Sequence, residues 1–191
     1  MFYLLKVEDR LRFPAKDFAM NLKNALLHIA REKYERTVDN DSTVILSVSN
    51  LNPLGDGLII PGDDAAYYDV EFDALVYKPE INEIVECPIT EVMEFGVFVS
   101  IGPLEGLVHL SQITNDFLTY NRKAGSFVGK ESKKTLKKGD IVYAKVATVS
   151  LKGPISEAKI GLTMRPVGLG KIEWIEKQLK DEEEKSKKTK K

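Results

Sequence analysis

The side chains best suited to chemistry fall in one stretch, residues 94–111, EFGVFVSIGPLEGLVHLS, where rings, a histidine and glycines are set among branched aliphatic residues. Successive side chains leave opposite faces of a β-strand, so Val97, Val99 and Ile101 turned to a core leave Phe98 and Ser100 outside. In the same way, Val108 and Leu110 turned inward leave Leu107 and His109 outside. An exposed phenylalanine beside an exposed histidine on neighbouring strands is costly in water. It is also what a base-stacking surface needs, because an aromatic face accepts any nucleobase. Strict alternation turns Phe95 inward with Val97, and a bulge at Gly96 re-aims it toward the same outer surface.

Cations belong beside such rings. Ile160, Leu162 and Met164 turned inward leave Lys159, Thr163 and Arg165 outside, and Lys145 is their counterpart on the preceding strand. Lysine and arginine neutralise phosphates while rings hold bases. A contact with a neighbouring domain is the other reading of Phe98, and plain solvation is the other reading of the lysines.

Enzymatic chemistry finds no constellation here. There are two histidines, and His28 sits in a helical stretch, where a helix-face residue with a local hydrogen bond explains it. Asp39 with Asp41, and Asp63 with Asp64, resemble cation ligands, but a turn or helix boundary accounts for each more simply. GKESKKT from Gly129 has a Gly-Lys pair without the upstream glycine of a phosphate-binding loop. The single cysteine, Cys87, allows no intrachain disulfide, and with two histidines it makes no zinc site. The expectation is a chain with no catalysis of its own, no cofactor and no metal.

The elements that must position these residues divide into two halves of opposite charge. The chain has 191 residues and a net charge of −1, but residues 1–80 hold 9 Lys and Arg against 14 Asp and Glu, and the remainder holds 19 against 15. A polyanion therefore prefers the second half. No stretch reaches the roughly 20 apolar residues of a membrane span, and the opening MFYLLKVEDR carries acids where a secretory signal stays apolar. A cytoplasmic protein with no membrane partner is expected.

In the first half, Phe2 to Arg12 reads as a strand, and Pro14 opens a helix over Ala15 to Arg36 with Phe18, Leu22, Ala25, Leu26 and Ile29 on one face. Thr43 to Ser49 and Tyr67 to Tyr77 are strands, and Asn50 to Asp64 is a projecting loop. From Glu83 five short strands, EIVECPITEV, FGVFVSI, GLVHLSQI, DIVYAKVATVS and KIGLTMR, suggest a small barrel. Residues 114–139 form a lysine-rich excursion with Phe117, Tyr120 and Phe127 as anchors. From Lys171 a short helix around Ile172, Trp174, Ile175 and Leu179 leads into a charged tail, EEEKSKKTKK. The fold class is α+β: a mixed α/β domain over 1–80, a five-stranded barrel over 81–170, and a helix and tail over 171–191.

FGVFVSIGPLEGLVHLSQI, GDIVYAKVATVS and KIGLTMR resemble the ribosomal S-one RNA-binding domain, an OB-fold β-barrel. In that family the surface for single-stranded RNA uses the positions matched by Phe95, Phe98 and His109, with a basic residue on the last strand matched by Lys159. Many members carry an aspartate at the end of the fourth strand, where this chain has Ser150.

The whole chain, through MFYLLKVEDRLRFP, AREKYERTVD, GDGLIIPGDDAAYYDVEFDALVYKP and the insertion from SQITNDF to LKKGD, resembles the archaeal RNA polymerase stalk subunits of E-prime type, counterparts of the seventh subunit of eukaryotic RNA polymerase II. The resemblance implies an RNP-like N-terminal domain, a heterodimer with the F-type stalk subunit, a loop docked on the polymerase core, and a barrel holding nascent single-stranded RNA. By position the docking loop is Gly55 to Asp64. Gly55, Gly57 and Gly62 give it backbone freedom, and Leu58, Ile59, Ile60 and Pro61 give it an apolar tip. A strand turn with a partly buried tip is the other reading of those residues. The competing function is an S-one-barrel subunit of a translation initiation factor or an RNA exosome. Domain order opposes the former, whose barrel comes first.

Overall fold

In the computed structural model, which describes residues 1–39, 42–151, 155 and 158–177, the chain divides into two units, Met1–Pro79 with Leu151–Glu157 and Glu80–Ser150 with Ala158–Lys191. Asp41, Leu179 and the charged tail lie outside the described residues.

The first unit runs β1 (Phe2–Pro14), α1 (Leu22–Tyr34), β2 (Val38–Asp39), β3 (Thr43–Pro53), β4 (Leu58–Ile59) and β5 (Ala65–Tyr77). β1 and β5 pair antiparallel along their whole length, from Phe2 opposite Tyr77 to Pro14 opposite Ala65. The sheet order is β1-β5-β3-β2, with β4 also on β5. One face carries Leu11, Phe13, Val48, Val70 and Phe72 against Ala25, Leu26 and Ala30 of α1. The other face is polar along most of its length, with Lys6 paired to Glu71 at 3.0 Å and Arg10 to Asp69 at 2.7 Å, and apolar at one end, where Phe2, Leu4 and Leu75 are exposed.

The helix is shorter than its apolar spacing suggests. Residues 15–17 form a single 3-10 turn, and α1 begins only after Asn21, whose side chain accepts from the Asn24 N–H at 3.4 Å. A side-chain oxygen at that position satisfies a backbone donor that the first helical turn leaves unpaired. Phe18 is thereby left outside the helix and exposed, tilted against Phe13. Arg36, with φ 62°, closes the far end. His28 is exposed, its Nδ1 3.8 Å from Glu32 one turn later.

The second unit runs β6 (Ile84–Met93), β7 (Gly96–Ile101), β8 (Leu104–His109), β9 (Leu118–Asn121), β10 (Ser126–Gly129), β11 (Thr135–Lys137), β12 (Ile141–Ser150), β13 (Lys159–Thr163) and β14 (Gly170–Lys171), followed by a helical segment at 172–177. The order β13-β8-β7-β6-β12 closes on itself through a β12–β13 pairing, giving the five-stranded OB-like barrel. One pairing, β13 with β8, is parallel. Val97, Val99, Ile101, Val108, Val142, Ala144, Val146, Ile160 and Leu162 fill the interior, as alternation requires. Register shifts at Val146/Thr148 and Ile89/Glu91 insert the extra residues that bend strands into a closed wall. Cys87 is fully buried there, and burial pushes its thiol up to about 12, which keeps it unreactive.

The lysine-rich excursion is a second small sheet, β11-β10-β9. Phe127 and Leu136 are fully buried and anchor it, and the Tyr120 hydroxyl donates to the Val92 carbonyl at 3.4 Å. Phe117 is not an anchor: its side chain is 76% exposed. It precedes β9, so the sheet's inward alternation does not claim it.

Candidate nucleic-acid interface

Strand register places the outward-facing residues of the barrel in rows. One row runs Glu91, Phe98, Leu107, Gly161 and Thr148 across β6, β7, β8, β13 and β12. Phe98 and Leu107 are half-buried in this row, with Phe98 standing out from the sheet between buried Val97 and Val99. His109 lies two residues along β8, opposite Gly96, and is exposed. Gly96 lets the two strands approach closely here, since a Cβ would meet the Val108 carbonyl oxygen at 2.4 Å and the His109 Cα at 3.1 Å.

Phe95 reaches this surface, but not through a bulge. Met93 and Gly96 pair directly, so Glu94 and Phe95 form a two-residue turn between β6 and β7. A turn residue is released from strand alternation, and the Phe95 ring stands 49% exposed against the Phe98 ring, centroids 6.1 Å apart. The Phe95 carbonyl accepts from the Leu110 N–H at 2.8 Å, which fixes the turn to the end of β8.

His109 is oriented by its own chain. The Ser111 N–H donates to its Nδ1 at 3.3 Å, and the Ser111 hydroxyl lies 2.9 Å from the same atom. An Nδ1 that accepts from a backbone N–H leaves the ring proton of the neutral tautomer on Nε2, where it donates outward. Ser111 was not marked by the sequence as part of the site. Its signal was the two-residue spacing of a side-chain cap before a 3-10 turn.

The cations bracket the aromatic row. Lys159 pairs with Ser150 on one side of it and is exposed; Lys145, half-buried, pairs with Thr163 on the other. Arg165 follows beyond Thr163, its Nε donating to Asn115 Oδ1 at 2.7 Å. Thr163 itself is buried, with its hydroxyl accepting from the Arg165 N–H, so it is not open to a ligand. Arg122, on the insertion and apart from these cations, lies 3.9 Å from Glu94, a contact that sequence spacing does not reveal.

In the first unit, residues 55–64 are less of a free loop than the sequence suggests, because Leu58 and Ile59 pair with Tyr67 and Ala66. Leu58, Ile59 and Ile60 are all exposed at the tip. Gly55 and Gly62 take φ of 118° and 93°, which only glycine adopts without strain. Gly57 is needed for a different reason: a Cβ would sit 2.5 Å from the Tyr68 ring. Arg12 donates to Asp63 at 2.6 Å and also to Asp64, and the Tyr67 hydroxyl donates to Asp63 at 2.6 Å. The Arg12 and Tyr67 donors hold the Asp63 carboxyl down at about 2.

Among the described residues there is no cluster of metal-ligating side chains, and no helix long and apolar enough to cross a membrane. Residues 78–156 match the S1 RNA binding domain, and residues 8–64 match the SHS2 domain found in the N terminus of Rpb7p/Rpc25p/MJ0397. The chain is similar to the DNA-directed RNA polymerase subunit Rpo7 of Saccharolobus shibatae, 39% identical over 92% of this chain and 97% of that protein. It is similar to Rpo7 of Sulfolobus acidocaldarius, 38% identical over 94% and 97%. The DNA-directed RNA polymerase III subunit RPC8 of Saccharomyces cerevisiae is 30% identical over 53% of this chain and 48% of that protein. The archaeal similarity runs through both domains in one order, which a shared S1 barrel alone does not produce, and the chain therefore belongs to the Rpo7 family of DNA-directed RNA polymerase subunits.

Proposed function

We propose that this chain is a non-catalytic, cytoplasmic stalk subunit of an archaeal RNA polymerase that pairs with the F-type stalk subunit and docks on the polymerase core through residues 55–64. Its barrel holds nascent single-stranded RNA. The observation that carries the RNA reading is the ring pair of exposed Phe95 and half-buried Phe98 beside His109, bracketed by Lys145, Arg165 and Lys159. Rings stack on bases without reading sequence, cations neutralise phosphates, and His109 Nε2 supplies one directed donor. Binding is accordingly sequence-tolerant and salt-sensitive. A single barrel binds weakly, and RNA already tethered to the polymerase raises the local concentration. Docking is supported by the apolar tip at Leu58, Ile59 and Ile60, whose base Arg12 and Asp63 tie to the sheet. Affinity purification of the tagged chain from native cells, with ultraviolet crosslinking of transcribing complexes, tests the proposal. Recovery of a small helical partner, the large polymerase subunits and crosslinked transcript on the barrel is expected. Recovery of initiation-factor or exosome subunits instead overturns it.

A further inference from the structure

We infer that the insertion between β8 and β12 carries a second phosphate-binding subsite, formed by Arg122, Lys123 and Lys130, that takes single-stranded RNA onward from the aromatic row. The inference rests on the RNA-binding reading of the barrel and extends the footprint beyond it. Residues 114–139 hold seven Lys and Arg against two acids, Asp116 and Glu131, in a chain whose net charge is −1. These cations do not all face one way. Lys134 lies over the Trp174 ring at 5.1 Å, whereas Arg122, Lys123 and Lys130 line a depression of about 560 Å³ along β9, with Thr119 and Asn121.

Two features join that depression to the aromatic row. Arg122 lies 3.9 Å from Glu94, the residue before Phe95, so the turn between β9 and β10 meets the turn between β6 and β7. The Tyr120 hydroxyl bond to Val92 holds β9 against the same end of β6. The basic turn is braced by its own chain: Asn121 Oδ1 accepts from the N–H groups of Lys123 and Ala124 at 3.1 and 3.2 Å. Both side chains of the Arg122–Glu94 pair are largely exposed, at 86% and 76%, and such a pair contributes little and yields readily to a phosphate. Phe117 decides between RNA and an acidic protein as the occupant. Its ring is exposed, and its carbonyl accepts from the Lys130 N–H at 2.9 Å, so a residue with an open stacking face is the backbone neighbour of one of the three cations.

The test uses the full chain with fluorescent oligouridylates of about 4 and about 16 nucleotides, the span of site sizes on OB folds. The variants are the triple R122A/K123A/K130A and Glu94→Gln. The triple variant is expected to bind the short RNA as wild type does and the long RNA about tenfold more weakly. Its slope of log affinity against log salt is expected to flatten by about 2, for three single-strand phosphates lost. Glu94→Gln is expected to tighten the long RNA severalfold. Wild-type affinity and slope for the long RNA in the triple variant overturn the subsite while leaving the barrel reading intact. Equal loss for both lengths at unchanged melting temperature also overturns it, because the cations then belong to the aromatic row. If wild type binds neither RNA, the barrel reading fails and this inference with it.

Discussion

The Phe95 and Phe98 rings meet edge to face, their planes at 90°. Perpendicular pairs of this kind contribute about 0.5–1.5 kcal/mol beyond their buried area, so Phe95 is held in place while half of it stays open to solvent. Phe95→Ala therefore removes a stacking face without opening a cavity. RNA binding should fall by about 1–3 kcal/mol, the usual worth of one base on one ring, with the melting temperature lowered by only about 2–4 °C for the lost ring pair. Phe98→Ala should cost similar affinity together with some stability, because its ring is half-buried. Fluorescence anisotropy and thermal melting separate the two effects. If Phe95→Ala melts early yet binds RNA normally, the ring is structural.

Gly96 sets the distance between that pair and His109. The Cβ of Gly96→Ala would lie 2.4 Å from the Val108 carbonyl oxygen and 3.1 Å from the His109 Cα. Both are backbone atoms of β8, so no rotamer change relieves the contact and the strands must part. A stability loss of about 1–3 kcal/mol is expected, measured by urea denaturation, with RNA affinity reduced even where the variant is folded. An unperturbed denaturation midpoint would show that the two strands separate easily there.

Phe98 and His109 were legible because strand alternation is local: each side chain's face follows from its immediate neighbours. Phe95 could be placed only once the turn between Met93 and Gly96 was known. The order of Lys145 and Lys159 about the aromatic row depends on the parallel pairing of β13 with β8 and on the shift at Val146/Thr148, and long-range register leaves no mark in spacing. The same limit hid Arg122, which meets Glu94 across the edge of a second sheet. In the first unit the apolar face of α1 was legible, and its start was not. The hydrophobic period continues through Phe18, while Asn21 decides where the helix begins.

Arg12 and Asp63 anchor the base of the 55–64 segment, and pH probes that anchor. Asp63 titrates at about 2 in the folded chain, and an unperturbed aspartate at about 3.9. A depressed carboxyl stabilises the fold above its unfolded value, and the contribution is lost as pH falls through the folded value. The anchor should thus be complete above about pH 4 and released toward pH 2. Carbon-detected NMR of the Asp63 carboxyl should show the low midpoint in wild type and a return toward the ordinary range in Arg12→Ala. An ordinary midpoint in wild type would mean that the pair does not form in solution.

Gly57 and Gly62 separate shape from strain in the same segment. A Cβ at Gly57 would meet the Tyr68 ring at 2.5 Å, and that ring packs against the helix-side core and edge-on to Phe13, so it has little room to turn. In Gly57→Ala the segment itself must move outward, and the apolar tip moves with it. At Gly62 there is open space around the Cβ, and only the φ of 93° opposes a side chain, which strains the turn without redirecting the tip. Gly57→Ala should therefore impair co-purification with the polymerase core more than Gly62→Ala does. Ile59→Asp is the control, because that side chain is 70% exposed and its loss changes the tip's chemistry but not its position. Wild-type recovery of polymerase with both Gly57→Ala and Ile59→Asp would mean that docking runs through another surface. RNA affinity should stay at the wild-type value in all three, since none of these residues belongs to the barrel.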